Sequence, residues 1–207
     1  METLKLEKAI EEIKKSEKRK FEQSVDLIIN LKKIDVKKTS INLFVPLPHK
    51  IKEKKICGFI EIKSNLIENI PKVAFARYKE KKDLRKLVKQ YDFFISSGAN
   101  MPAVATTFGR VLGPAGKMPS PKLGILLNEN EKEIEDLVKK INGVVRVQAK
   151  DSSLKVIIGK EKMGDSEIIE NIKSVYNAVM NELPNKKDNI RSVMIKLTMG
   201  KPVKVEM

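Results

Sequence analysis

Phe93-Phe94-Ile95-Ser96-Ser97-Gly98-Ala99-Asn100-Met101-Pro102 decides the fold. Its first half is a short apolar run, Phe93 to Ser96, of the kind a fully buried strand needs. Its second half opens a helix, with Asn100 as N-cap and Pro102 in the first turn, where a missing N–H costs nothing. A strand that passes straight into a helix is half of a βα unit. Working outward, the alternation recurs: apolar strands over Ile56 to Ile60, Val73 to Ala76 and Gly124 to Leu127, and helices over Ser64 to Ile70, Glu80 to Gln90, Pro102 to Arg110 and Glu129 to Ile141. That pattern predicts a parallel sheet with helices on its faces, a Rossmann-like βαβ layout. The G-x-G-x-x-G fingerprint that a dinucleotide site requires is absent.

The flanks read differently. Thr3 is placed to cap a helix whose apolar residues Leu6, Ala9, Ile10 and Ile13 have helical spacing, ending between Ser16 and Lys20. From Ser24, the residues Val25, Leu27, Ile29 and Leu31 keep the period of a strand with one core face. A second strand, Ile41 to Val45, is ended by Pro46 and Pro48. Beyond Asn142-Gly143 the sequence predicts a hairpin, Val144 to Gln148 and Leu154 to Ile158 across the turn Lys150 to Ser153. A helix from Asp165 to Leu183 and a strand from Ile190 to Leu197 follow. Neither end has enough strands to close a core alone. The expected fold is therefore α/β with two domains: a discontinuous α+β domain I, residues 1–50 and 143–207, and an inserted Rossmann-like domain II, residues 51–142. The crossings fall near Pro46 to Lys50 and at Asn142-Gly143.

Composition narrows the function. The 207 residues carry 42 Lys and Arg against 27 Asp and Glu, a net charge of +15, which points to an anionic partner and first to nucleic acid. A thermophile-like charged surface is the alternative. No apolar run approaches the roughly 20 residues of a membrane span, so a soluble, cytoplasmic protein without a membrane partner is expected. Cys57 is the only cysteine and lies in a strand-like run, while His49, the only histidine, is flanked by Pro48 and Lys50. Neither has a dyad partner or a metal-ligand cluster around it, so no metal, no cofactor and no enzyme activity is expected. The competing classes are a basic Rossmann-like enzyme and a protein-interaction module.

The segment Gly109-Arg-Val-Leu-Gly-Pro-Ala-Gly-Lys-Met-Pro-Ser-Pro121 is rich enough in glycine and proline to predict one ordered loop in place of helix or strand. Gly116-Lys117 suggests a phosphate loop, but Val111 stands where that motif needs glycine and Met118 where it needs Ser or Thr.

With Lys122-Leu123-Gly124 added, this stretch closely resembles the signature loop of the ribosomal protein L-one family, the large-subunit stalk proteins. Lys20-Phe21 ahead of Ser24-Val25-Asp26-Leu27, Leu47-Pro48-His49, Gly159-Lys160, and Ser192-Val193 leading to Thr198-Met199-Gly200 resemble further family landmarks, in family order and over nearly the whole chain. The continuous strand and the Met-Gly-Lys-Pro ending resemble the archaeal form. The resemblance implies a protein of the ribosome, monomeric when free, that binds the stalk region of large-subunit (23S) rRNA near the E site. It further implies assistance in releasing deacylated E-site tRNA, and repression of translation by binding its own mRNA. By position it carries over as RNA contacts Lys20, Phe21, Ser24, Lys160, Ser192, Thr198, Met199 and Gly200. The chemistry of these residues suits recognition of RNA shape: cations for phosphates, hydroxyls for 2′-hydroxyl or phosphate oxygens, flat or apolar surface for ribose or base, and glycine for close approach. Each also has an ordinary alternative. Phe21 would serve as a core residue, Ser192 as a backbone partner, Met199 as a gap filler and Lys20 as a solvated cation. Arg110 and Lys117 are secondary candidates for contact with RNA or tRNA, unless their segment is a fixed connection within domain II. The turn at Lys150 to Ser153 departs from the family pattern, so Lys150 and Lys155 are not carried over.

Overall fold

The computed structural model describes residues 3–15, 19–34, 41–62, 64, 66–78, 80–126, 129–149 and 151–207. Ser16, the connection 35–40, Leu127 and Lys150, to which the sequence reading assigned a helix end, a loop, a strand end and a turn, lie outside them. The chain is mixed α/β and divides into two compact units, residues 1–51 with 143–207 and residues 52–142. In chain order the first unit holds β1 (Thr3–Lys5), α1 (Leu6–Lys14), β2 (Ser24–Leu31) and β3 (Asn42–Pro46). The second holds β4 (Ile56–Phe59), β5 (Glu68–Asn69), α2 (Lys81–Gln90), β6 (Phe93–Ser97), α3 (Met101–Ala115), β7 (Ile125–Leu126) and α4 (Glu131–Asn142). The first resumes with β8 (Val144–Gln148), β9 (Ser153–Lys160), α5 (Asp165–Glu182), β10 (Ile190–Leu197) and β11 (Val203–Glu206).

In the discontinuous unit a five-stranded sheet runs in the order β1-β11-β10-β2-β9. The period-two pattern of β2 does what it predicts: Val25, Leu27, Ile29 and Leu31 are buried with Val193, Ile195 and Leu197 of β10 under α1 and α5. Each such side chain contributes about 1.5–3 kcal/mol by leaving water, which holds the two distant chain segments in one core. The alternate residues Ser24, Asp26, Ile28 and Asn30, with Ser192, Met194 and Lys196, form the opposite, open face. On β9 the register shifts at Val25/Asp26, where Ile158 is the extra residue of a bulge. Lys160 is thereby brought opposite Ser24 on the open face, whereas strict alternation from Leu154, Val156 and Ile158 would have turned it into the core. Gly159 belongs to this device, since a Cβ there would meet Ile168 Cγ1 at 3.2 Å and Met163 Sδ at 3.4 Å.

Two local expectations change in this unit. Thr3 caps nothing, because residues 3–5 extend into β1 and pair in parallel with β11, itself absent from the sequence reading. The strands β8 and β9 do not form a hairpin. β8 pairs with β3 in a separate two-stranded sheet and β9 with β2, because the longer alternating strand offers β9 more apolar partners. The chain near His49 is held by Asn171, whose buried amide accepts the His49 N–H at 3.1 Å and donates to the carbonyls of His49 (3.0 Å) and Ile158 (2.9 Å).

The unit 52–142 is built on a four-stranded sheet in the order β5-β4-β6-β7, and all of its pairings are parallel. One face packs Cys57, Phe59 and Phe94 against α2 and α3, and the other packs Ile56, Ile60, Ile95 and Leu126 against Ile134 and Ile141 of α4. Asn100 stands before α3, with Pro102 in the first turn, but its amide donates to the Phe59 carbonyl at 3.3 Å and ties the helix start to β4 instead of capping it. Among the described residues of the segment expected as the helix Ser64 to Ile70 there is no helix, only the two-residue strand β5, and Lys72–Arg77 form a 3₁₀ helix where a strand was expected. Phe75 is the buried residue of that turn, with Ala74 packed beside it against the same core, so its apolar run reports an anchor and no strand.

The largest correction concerns the glycine-rich segment. α3 runs through Gly109 and Gly113 to Ala115, so most of the expected loop is helix. Gly116, at φ 68°, ends it: its N–H bonds the Gly113 carbonyl at 2.9 Å and the next N–H, of Lys117, bonds the Leu112 carbonyl at 3.0 Å. Pro114 stands in the last turn, where only one intrahelical bond is lost. The punctuation therefore terminates a helix; it does not prevent one.

Candidate nucleic-acid interface

The ends of β2, β9 and β10 bring most of the candidate residues together. Ser24 opens β2 opposite Lys160, and Leu197 closes β10 opposite Val25, so the turn after Leu197 lies beside the chain entering β2. Thr198 and Ser24 lock these segments: the Ser24 N–H donates to Thr198 Oγ1 at 3.0 Å, Oγ1 donates to the Ser24 carbonyl at 3.3 Å, and the Thr198 N–H donates to that carbonyl at 3.1 Å. Gly200 closes the turn through its N–H to the Leu197 carbonyl at 2.9 Å. A Cβ there would stand 3.3 Å from that of Leu197, so the tight turn itself favours glycine.

The lock leaves apolar surface outside. Met199 is 65% exposed and Phe21 52%, which removes both the gap-filler and the core alternatives for them. Large side chains left in water next to a rigid turn suit contact with ribose or a base face. Lys160 Nζ lies 2.8 Å from Glu22 Oε2, and its hydrogen bond holds the Glu22 carboxyl below the usual carboxylate range. Lys20 is exposed on the same connection.

Ser192 stands apart. It is on the same open face, where its Oγ accepts from Asn30 Nδ2 at 3.0 Å, but six residues from Thr198 along β10, about 20 Å. Between them Asp26 sits opposite Lys196; burial pushes the Asp26 carboxyl up, and Lys196 pulls it the other way.

Arg110 and Lys117 belong to the unit 52–142. Arg110 is exposed on α3. Lys117 Nζ donates to the carbonyls of Val88 and Tyr91, each at 2.7 Å, and so binds the carbonyl end of α2. Burial lowers its pKa, with Asp92 opposing. The fixed-connection alternative is thus what Lys117 makes. Lys117→Met is expected to cost this unit about 1–3 kcal/mol by stripping two carbonyls of their donor, measured by thermal or urea unfolding, with RNA binding unchanged. A variant of unaltered stability would contradict that role.

Sequence reasoning missed Gln23. It is 2% exposed, its Oε1 accepts the Met199 N–H at 3.2 Å, its N–H reaches Glu161 Oε2 at 3.4 Å, and its carbonyl accepts the Glu161 N–H at 2.9 Å. One amide residue therefore joins all three segments of the cluster. The signal was available: extending the inward register of Val25, Leu27 and Ile29 back by two positions puts a polar residue at a core position.

No group of His, Cys, Asp or Glu able to hold a metal occurs among the described residues, and none of their helices is long and apolar enough to cross a membrane. The site offers hydroxyls, exposed apolar side chains and cations around a locked turn, with no nucleophile–base pair.

Comparison with known proteins agrees with this chemistry. Residues 13–201 match the model of the Ribosomal protein L1p/L10e family. The chain is 36% identical to the "Large ribosomal subunit protein uL1" of Pyrococcus horikoshii, over 98% of this chain and 95% of that protein. It is 35% identical to the protein of the same description from Nanoarchaeum equitans, over 95% and 99%. It is also 35% identical to that of Methanocaldococcus jannaschii, over 91% and 88%.

Proposed function

Because the chain belongs to the Ribosomal protein L1p/L10e family, whose members are not known as enzymes, we propose that it is a structural RNA-binding protein of the large ribosomal subunit. The unit of residues 1–51 and 143–207 is the discontinuous domain that grips the stalk region of large-subunit rRNA near the E site, and residues 52–142 are a Rossmann-like insertion. The observation that carries this reading is the Thr198–Ser24 lock with Met199 and Phe21 left exposed beside it. A turn held from both sides presents a preformed surface to a folded RNA, so little ordering entropy opposes binding. Lys20 and Lys160 supply phosphate neutralisation, and Ser192, far along the same face, contacts a second segment of an RNA laid across the open sheet.

The same grip serves two further roles in this reading: repression of translation through a similar fold in the protein's own mRNA, and assistance to release of deacylated tRNA from the E site. Arg110 remains the candidate for a contact of the inserted domain. The protein is monomeric when free and resides on cytoplasmic ribosomes. If one site serves both RNAs, labelled stalk rRNA is displaced by the leader of the protein's own messenger, and the reverse, in a competition gel shift. Simultaneous binding of both RNAs would contradict a single grip.

A further inference from the structure

We propose that the cleft between α1 and the 198–202 turn holds one unstacked guanine of the bound RNA, an inference that rests on the RNA-binding reading above. The cleft has a volume of about 270 Å³ and is lined by Glu12, Ile13, Arg19, Gln23, Met199, Gly200, Lys201 and Val203. That is just below the roughly 300–1,000 Å³ of small-molecule pockets, a size for a single base. Ile13, Met199 and Val203 give it apolar walls, and Met199, 65% exposed, extends one wall toward solvent, where a base face would slide against the thioether.

The polar groups choose the base. The Gln23 amide oxygen is taken by the Met199 N–H, which fixes the amide and leaves its NH₂ as the donor end of a residue that lines the cleft. Glu12, exposed on α1, brings an acceptor-only carboxylate to the same cleft. A fixed donor and a two-oxygen acceptor lining one cleft match the Watson–Crick edge of guanine, whose O6 accepts while N1–H and N2–H₂ donate side by side. Adenine, cytosine and uracil each lack that paired donor edge. Lys201 at the rim lies where it neutralises the phosphate of the same nucleotide. The carboxylate is the telling element. In a surface that must approach phosphates, a negative charge opposes binding unless it accepts hydrogen bonds from a base or holds a neighbouring cation such as Arg19 or Lys201, and inosine replacement separates the two.

That opposition gives the test its sign. The full chain and its Glu12→Gln variant are titrated with a stalk rRNA fragment at fixed salt, and each unpaired guanosine of the fragment is replaced in turn by inosine, which lacks the N2 amino group. Glu12 is exposed, so the variant folds. Glu12→Gln is expected to weaken stalk binding about fivefold to tenfold although it removes a negative charge. One inosine position is expected to weaken the wild type by a similar factor and to leave the variant unaffected. Equal or tighter binding by Glu12→Gln, or the absence of any coupled inosine position, overturns the guanine site while RNA binding stands. Wild-type binding no stronger than to a scrambled RNA overturns the RNA-binding reading itself, and the cleft's role with it.

Discussion

Phe59→Ala is expected to destabilise the unit 52–142 by about 3–5 kcal/mol while changing affinity for stalk rRNA by no more than about twofold. Phe59 is fully buried and its ring meets those of Phe75, Phe94 and Phe108 at centroid distances of 5.6, 5.7 and 4.7 Å. Truncation therefore opens a cavity at the junction of sheet, α3 and the 3₁₀ turn, and it also loses the ring–ring contacts. Cys57, two residues away on the same strand, supplies the readout. Burial pushes its thiol up to about 12, so in the folded unit it is shielded and protonated at neutral pH. Opening restores an ordinary thiol, and alkylation reports it. Faster Cys57 labelling in Phe59→Ala, with stalk binding intact, is the expected pair of results. A fall in stalk affinity in step with the labelling would place part of the rRNA grip in residues 52–142.

Met199→Ala and Thr198→Val are each expected to cost about 1–3 kcal/mol of specific RNA binding, for different reasons. Met199 is exposed, so its truncation leaves folding almost untouched and removes only surface offered to the RNA. Thr198→Val keeps the shape but removes the hydroxyl that accepts the Ser24 N–H and donates to its carbonyl, so the turn loses its lock. A stability measurement separates the two: Thr198→Val also lowers the unfolding midpoint, and Met199→Ala does not. Lys20→Ala is expected instead to reduce the slope of log affinity against log salt by about 1, with equal losses on stalk and unrelated RNA. Equal losses on unrelated RNA for Met199→Ala would contradict its role in specific contact.

The sequence carried the long elements because their periods are unambiguous. The Ser24 to Leu31 alternation, the stripe of α5 and the strand-to-helix passage at Phe93 to Pro102 each appear where their patterns place them. It failed where length or partners decide. Residues 3–5 are too short to show a period, and they become a strand only because β11 offers an edge. The pairing of β9 with β2 rather than β8 is a choice between partners that local spacing does not encode. At Gly109 to Ala115 propensity argued against helix, yet packing of Phe108 and Leu112 under the sheet, with Gly116 to end the turn, carries the helix through. Of the candidate interface, the residues Thr198 to Gly200 were visible through family resemblance, which also placed Phe21 and Ser24. That Gln23 joins these segments follows from a polar residue on the inward register of β2, a signal written in the alternation but needing the three-dimensional register to interpret. Lys160 was legible by resemblance, but its place beside Ser24 depends on the bulge at Ile158.

The central claim, a preformed grip for one folded RNA, is tested most directly by titrating the full chain with a stalk rRNA fragment and with a scrambled RNA of the same length and composition at one stated salt concentration. The account predicts saturable one-to-one binding to the stalk fragment about a thousandfold tighter than to the scrambled RNA. Equal affinity for the two RNAs, set only by the net charge of +15, would contradict it.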